Sequence, residues 1–160
     1  MPINETKADI VRERALLNWY CPFSYPDAIC VPTVKPALLP YDAIYTDSNG
    51  IPVLVADAKV RTNTASAYDT YMVAVEKFQQ LVLRGIALSC TAILLVEWSC
   101  GTIGTYRITT PDGGRMKHWD ACTVSIGGRT GRGQPSDIEP MIFIPMANFT
   151  ILKEGSGHAK

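Results

Sequence analysis

Residues 41–59 read Tyr-Asp-Ala-Ile-Tyr-Thr-Asp-Ser-Asn-Gly-Ile-Pro-Val-Leu-Val-Ala-Asp-Ala-Lys. Two β-prone runs flank Asp47-Ser48-Asn49-Gly50, and Asn-Gly is a strong hairpin signal because both loop positions need positive φ. With Asn49 and Gly50 as a two-residue loop, Ser48 pairs with Ile51 and Asp42 falls directly opposite Asp57. Pro52 then faces Asp47 at a non-hydrogen-bonded position, where a missing N–H is tolerated. Opposed residues share a face of the sheet, with Cβ atoms roughly 4.5–5.5 Å apart. Two like charges at that distance repel, so folding alone gives no reason to place them there. A divalent cation does, by taking oxygen ligands from both. Lys59 lies two residues beyond Asp57 and points to the same face. The hairpin thus offers two carboxylates and an ammonium on one side, a set suited to metal-dependent hydrolysis.

Pro40-Tyr41-Asp42 followed by Asp57-Ala58-Lys59 after a hairpin resembles the core of the PD-(D/E)XK nuclease superfamily. Asp-x-Lys alone is a common pattern; the second acid at hairpin register and the apolar strand Val53 to Ala56 give it weight. Lys59-Val60-Arg61, then Tyr68 to Lys77, then Ala92 to Trp98, are similar to small phage and prophage nuclease-like proteins. That group carries a second lysine near the start of the following helix, which Lys77 matches. Ala74 departs from the pattern, standing where the group has a serine cap. The resemblance spans about Ala8 to Ile144. It implies an α/β fold, a mixed central β-sheet flanked by helices with a restriction-endonuclease-like αβββαβ core. It also implies hydrolysis of phosphodiesters, with DNA as the substrate, Asp42, Asp57 and the Ala58 carbonyl holding Mg²⁺ or Mn²⁺ and Lys59 assisting the attacking water.

At 160 residues the chain suits one domain with a substantial core. We expect a single nuclease-like domain over residues 1–154 and a disordered tail over 155–160. Formal net charge is zero, so the basic excess that usually marks nucleic-acid binding is missing, and local patches must supply it. No signal peptide or membrane span is visible, and the five cysteines are odd in number with no Cys-x-x-Cys spacing. A reduced intracellular setting follows, the cytoplasm of a host if the chain is phage-encoded. Cys100, His118 and Cys122 lack zinc-ligand spacing, and the cysteines read as small core residues.

Thr6 to Asp9 reads as a capping box opening a helix over Ala8 to Tyr20 that Pro22 stops. Glu13 falls on the Ile10, Leu17 and Tyr20 stripe. It is either a surface acid paired with Arg12 or Arg14, or, as the resemblance implies, an acid reaching toward the metal. After the proline-rich stretch to Pro40, with an edge strand near Ala28 to Val31, the hairpin strands run from Tyr41 to Thr46 and from Ile51 to Arg61. Val75, Phe78, Leu81 and Val82 mark a helix between Tyr68 and Arg84, with Gly85 as its stop. Lys77 on it touches a phosphate, touches Asp57, or is simply solvated. A strand at Thr91 to Trp98 should lie parallel to the Asp57 strand, because strand–helix–strand crossovers are right-handed. Further strands are expected at Ile103 to Thr109 and Met141 to Ile144, with Arg115 to Ile126 extending the same sheet.

The glycine-rich loop at 127–133 lacks the lysine ending of a phosphate-cradling loop. Its Arg129 and Arg132, with Arg115, Lys117 and Arg61, are the candidate nucleic-acid contacts; the loop's alternative role is solubility. Two rival functions stand beside a DNA nuclease. One is a catalytically silent nuclease-fold protein serving as a phage accessory or structural component. The other is a junction-resolving nuclease, which requires a homo-oligomer.

Overall fold

A computed structural model of the protein describes residues 6–34, 39, 41–112, 114, 117–128 and 138–155. Helix α1 spans Lys7–Ser24 and opens on the expected capping box: Thr6 Oγ accepts from the Asp9 N–H while an Asp9 carboxylate oxygen accepts from the Thr6 N–H. The helix outruns the proline expected to stop it, because Pro22 lies in its last turns. There the ring removes one bond to the carbonyl of exposed Asn18, which water can satisfy.

Six strands form the main sheet: β1 (Ile29–Pro32), β2 (Ala43–Thr46), β3 (Pro52–Val60), β5 (Thr91–Glu97), β6 (Ile103–Arg107) and β9 (Thr150–Lys153), in the order β1-β2-β3-β5-β6-β9. Only β3 and β5 pair in parallel, with Asp57 beside Leu94, so the sheet is mixed as expected. Between them the chain makes β4 (Thr70–Ala74) and then α2 (Val75–Leu88). Leu54, Ala56 and Ala58 face α1 with Leu16, Leu17, Tyr45, Ile93 and Leu95. Val55 faces the α2 side with Phe78, Leu81, Leu94, Val96 and Tyr106. Burial on both faces explains why the central strands read as continuous apolar runs.

The hairpin reaches the expected register by a different turn. Asp47 N–H bonds to Ile51 O at 2.9 Å and Gly50 N–H to Asp47 O at 3.0 Å, so the loop is a residue longer than an Asn49-Gly50 turn. Asp47 imposes this: its Oδ1 accepts from the N–H groups of Asn49 (2.8 Å) and Ile51 (3.0 Å), and only Gly50 of the pair goes left-handed, at φ 79°. Pro52 therefore faces Thr46, not Asp47. A bulge between Tyr45 and Thr46 then cancels the offset, and Tyr45↔Leu54, Ile44↔Val55 and Ala43↔Ala56 stand as the sequence implies.

Three other expectations change. Residues 70–74 are strand, because Tyr71 and Val73 alternate inward at period two, and the helix begins only at Val75. Gly85 does not end that helix: it sits buried inside it, where a Cβ would lie 2.7 Å from Thr109 Oγ1 and 3.2 Å from Cys90 O. Ser89, left-handed at φ 50°, is the C-cap. Residues Thr123–Gly128 (β7) do not extend the main sheet but pair with β8 (Ile138–Pro145), which pairs with β4 in a separate sheet ordered β4-β8-β7. Residues 117–121 are a short 3₁₀ turn.

Candidate active site

Asp57 lies in the middle of a buried strand and Asp42 just before β2, one step outward from the Ala43↔Ala56 pair. Both side chains are buried, at 2% and 6% exposure. The Asp42 N–H bonds to Ala56 O at 2.9 Å, and its Oδ2 accepts from the Ala58 N–H at 2.8 Å. In a strand the N–H and C=O of one residue project to the same edge, so the Ala58 carbonyl faces the side where β2 has already ended. The hairpin thus carries two buried carboxylates beside the Ala58 backbone.

Two ammonium groups lie in this region, one on Asp57 and one on Glu13. Lys77 Nζ is 2.8 Å from Asp57 Oδ1, which answers the three-way question that the sequence leaves about this residue. It occupies the first turn of α2, where a cation opposes the helix macrodipole, and the Asp57 charge offsets that penalty. The Ala74 N-cap makes no side-chain bond, so the departure seen in the sequence is a missing cap and not a shifted helix. Lys59 Nζ is 3.6 Å from Glu13 Oε1. Glu13 is buried on the sheet-facing side of α1. It is therefore not the exposed surface acid of the other reading, and of the two arginines beside it Arg12 pairs with Asp9 at 2.7 Å and Arg14 donates to Thr33 O at 2.9 Å.

Burial pushes the Asp57 carboxyl above its ordinary value; Lys77 and Lys59 pull it down and Asp42 pushes it further up. For Lys59 burial acts downward, but the charges of Asp57, Glu13 and Asp42 outweigh it and hold the ammonium above its ordinary range. Asp42 and Asp57 offer oxygen donors in a buried place, the donor chemistry of a hard divalent cation. Asp42 and Asp57 fit such a metal in their chemistry. Among the described residues, however, no three His, Cys, Asp or Glu side chains form a metal-sized cluster, and Glu13 faces Lys59 instead of joining the two aspartates.

Arg61 is tied into the fold: Nη2 donates to Tyr71 OH at 2.8 Å and Met72 O at 3.2 Å, and the guanidinium lies 4.6 Å from the Tyr71 ring centroid. Arg115, Arg129 and Arg132 lie outside the described residues, as does the side chain of Lys117. Pro40 and the tail from 156 onward also lie outside them. Tyr71 is the neighbour that the sequence reading missed. It feels the charges of both Asp57 and Lys59, and its signal was the period-two alternation in β4.

A hairpin-borne pair of acids, a lysine on the same strand and an α-β-β-β-α-β order around it define a restriction-endonuclease-like core of the PD-(D/E)XK type. The chain belongs to the family described as "Phage putative PDDEXK endonuclease", which it matches over residues 2–152. A Holliday junction resolvase, Hjc, from the hyperthermophilic archaeon Archaeoglobus fulgidus is similar in structure, at 10% identity over 61% of this chain and 70% of that one, with a TM-score of 0.46. No curated protein matches the chain in sequence. None of the five cysteines forms a disulfide, and no helix among the described residues is long and apolar enough to cross a membrane.

Proposed function

We propose that this chain is a metal-dependent nuclease that hydrolyses DNA phosphodiester bonds, with Asp42, Asp57 and the Ala58 carbonyl as holders of Mg²⁺ or Mn²⁺. The observation that carries the reading is a pair of buried aspartates at hairpin register, with Lys77 paired to Asp57 and Lys59, two residues beyond Asp57, paired to Glu13. Burying like charges together costs several kcal/mol unless something offsets it, and a binding module has no use for the arrangement. The family membership supports the reaction class.

When bound, the metal supplies Lewis-acid polarisation of the scissile phosphate and an acidified water. Lys59 donates hydrogen bonds to the attacking water and to the phosphoryl oxygens on which negative charge develops. Glu13 holds the Lys59 ammonium in place across the sheet end. Lys77 neutralises Asp57 while the site is being formed and filled. Arg61 lends its charge from a fixed position beside Tyr71, and Arg115, Lys117, Arg129 and Arg132 are the further candidate phosphate contacts.

The test is Lys59→Ala. Saturated turnover on DNA in Mg²⁺ should fall about 10²–10³-fold, because a group acting on transition-state charge appears in kcat. DNA affinity measured in Ca²⁺ should change far less. Equal losses in both would reduce Lys59 to a phosphate contact.

A further inference from the structure

Immediately past the last residue of β3 the molecule opens into a cleft of about 480 Å³. Arg61, Asn63, Tyr68, Tyr71, Trp98 and Phe143 are among its walls. It lies beyond the carboxyl ends of the two parallel strands β3 and β5, where open α/β sheets characteristically bind their ligands. The strand itself joins it to the acid site: Arg61 stands two residues beyond Lys59 and donates to the Tyr71 phenol, and Val60, Arg61 and Tyr71 all line the cleft. The cleft is mixed in character. Trp98, Phe143 and Met146 supply apolar wall, and Asn63 a polar edge with its amide turned to Thr64 O at 3.0 Å.

Two side chains here are placed as a ligand would need them. Arg61 lines the cleft with its guanidinium held by two hydrogen bonds from Nη2 and by the Tyr71 ring, and a guanidinium carries five N–H donors. Tyr68 also lines the cleft and is 67% exposed, the most exposed aromatic residue among those described.

We propose that this cleft is a subsite for one unpaired nucleotide next to the bond being cut, its base stacked on Tyr68 and its phosphate met by Arg61. The inference rests on the nuclease reading and adds a substrate preference to it. A concave site of this size cannot be entered by a base that is paired and stacked in a duplex, whereas an unpaired base enters without paying to leave its neighbours. Stacking on one aromatic ring tolerates any base, so the preference is for strandedness and not for sequence.

The test is fluorescence anisotropy in Ca²⁺ with a single strand of roughly 16 nucleotides, the upper site size of a single-strand-binding fold, and with the same sequence as a duplex. Tyr68→Ala should weaken single-strand binding about 10- to 100-fold and duplex binding much less. Tyr68→Phe, which keeps the ring, should bind the single strand like the wild type. Because Tyr68 is exposed, melting temperatures of both variants should match the wild type, which separates lost binding from lost folding. Equal effects on single strand and duplex, or no effect of Tyr68→Ala, would overturn the subsite and leave the nuclease reading standing. A wild type that binds neither DNA form would overturn both.

Discussion

Replacing Lys77 by Met removes the cation 2.8 Å from a carboxylate that is 2% exposed. Breaking a buried ion pair from one side typically costs about 3–5 kcal/mol, because the surviving charge is left unpaired in the interior. The Lys77 side chain keeps 29% exposure, so solvent screens part of the interaction, and about 2–3 kcal/mol is the better expectation. For a chain of this size that lowers Tm by roughly 5–10 °C. The loss should depend on pH. Burial already raises the Asp57 carboxyl even with Lys77 in place, and removing Lys77 raises it further. A carboxyl raised by folding favours the folded state at low pH, and that advantage disappears as pH rises through the folded pKa. The deficit of the variant should therefore be small below about pH 4, where Asp57 is protonated in either protein, and grow to its full size toward neutral pH. Urea unfolding of both proteins in EDTA across that range is the assay. Adding Asp57→Asn to Lys77→Met should recover most of the loss at neutral pH. A deficit that is constant with pH, or a double variant no more stable than Lys77→Met, would refute the reasoning.

Glu13→Gln should lower turnover about 10–100-fold, the usual effect of removing a group that positions a catalytic side chain, while Mn²⁺ affinity by calorimetric titration stays near the wild type. A loss of affinity as large as the loss of turnover would make Glu13 a metal ligand. Gly85→Ala should destabilise by about 1–2 kcal/mol in urea unfolding, since overpacking costs about 1–3 kcal/mol against a helix-propensity gain of up to about 1. A neutral result would mean that the Thr109 hydroxyl, 2.7 Å from the new methyl, gives way without losing its bonds to Cys90 O and the Ala92 N–H.

Much of the site was legible because hairpin register is a two-fold pattern with a hard consequence: a slip of one residue would send Asp57 to the α1 face among Leu54, Ala56 and Ala58. The Asn-Gly signal gave the right register by the wrong route. Asp47 captures two backbone N–H groups and sets a longer loop, and the bulge by Thr46 restores the pairing, neither of which alternation can reveal. The helical period over Val75 to Val82 was real, yet extending it back to Tyr68 overlooked the alternation of Tyr71 and Val73. Gly85 was read as a helix stop because composition cannot show that Thr109, distant in sequence, presses on it. The second sheet was invisible for the same reason. Strand β4 pairs with β8 across a long separation, and the exposed Val124 and Ile126 of β7 give no inward pattern to read. The pairing of Glu13 with Lys59 and of Lys77 with Asp57 needed the sheet to be assembled between two helices before either distance had meaning.

The most direct measurement is cleavage of labelled single-stranded, duplex and branched DNA by wild type and Asp57→Asn, each in Mg²⁺, Mn²⁺ and EDTA. Asp57→Asn keeps the side-chain shape in a buried position but removes the carboxylate charge that a divalent cation requires. The account predicts cleavage by the wild type with either metal, none in EDTA, and loss of cleavage in Asp57→Asn while both proteins remain folded. Cleavage that persists in EDTA or in Asp57→Asn, or a folded wild type that cuts no DNA with either metal, would contradict it.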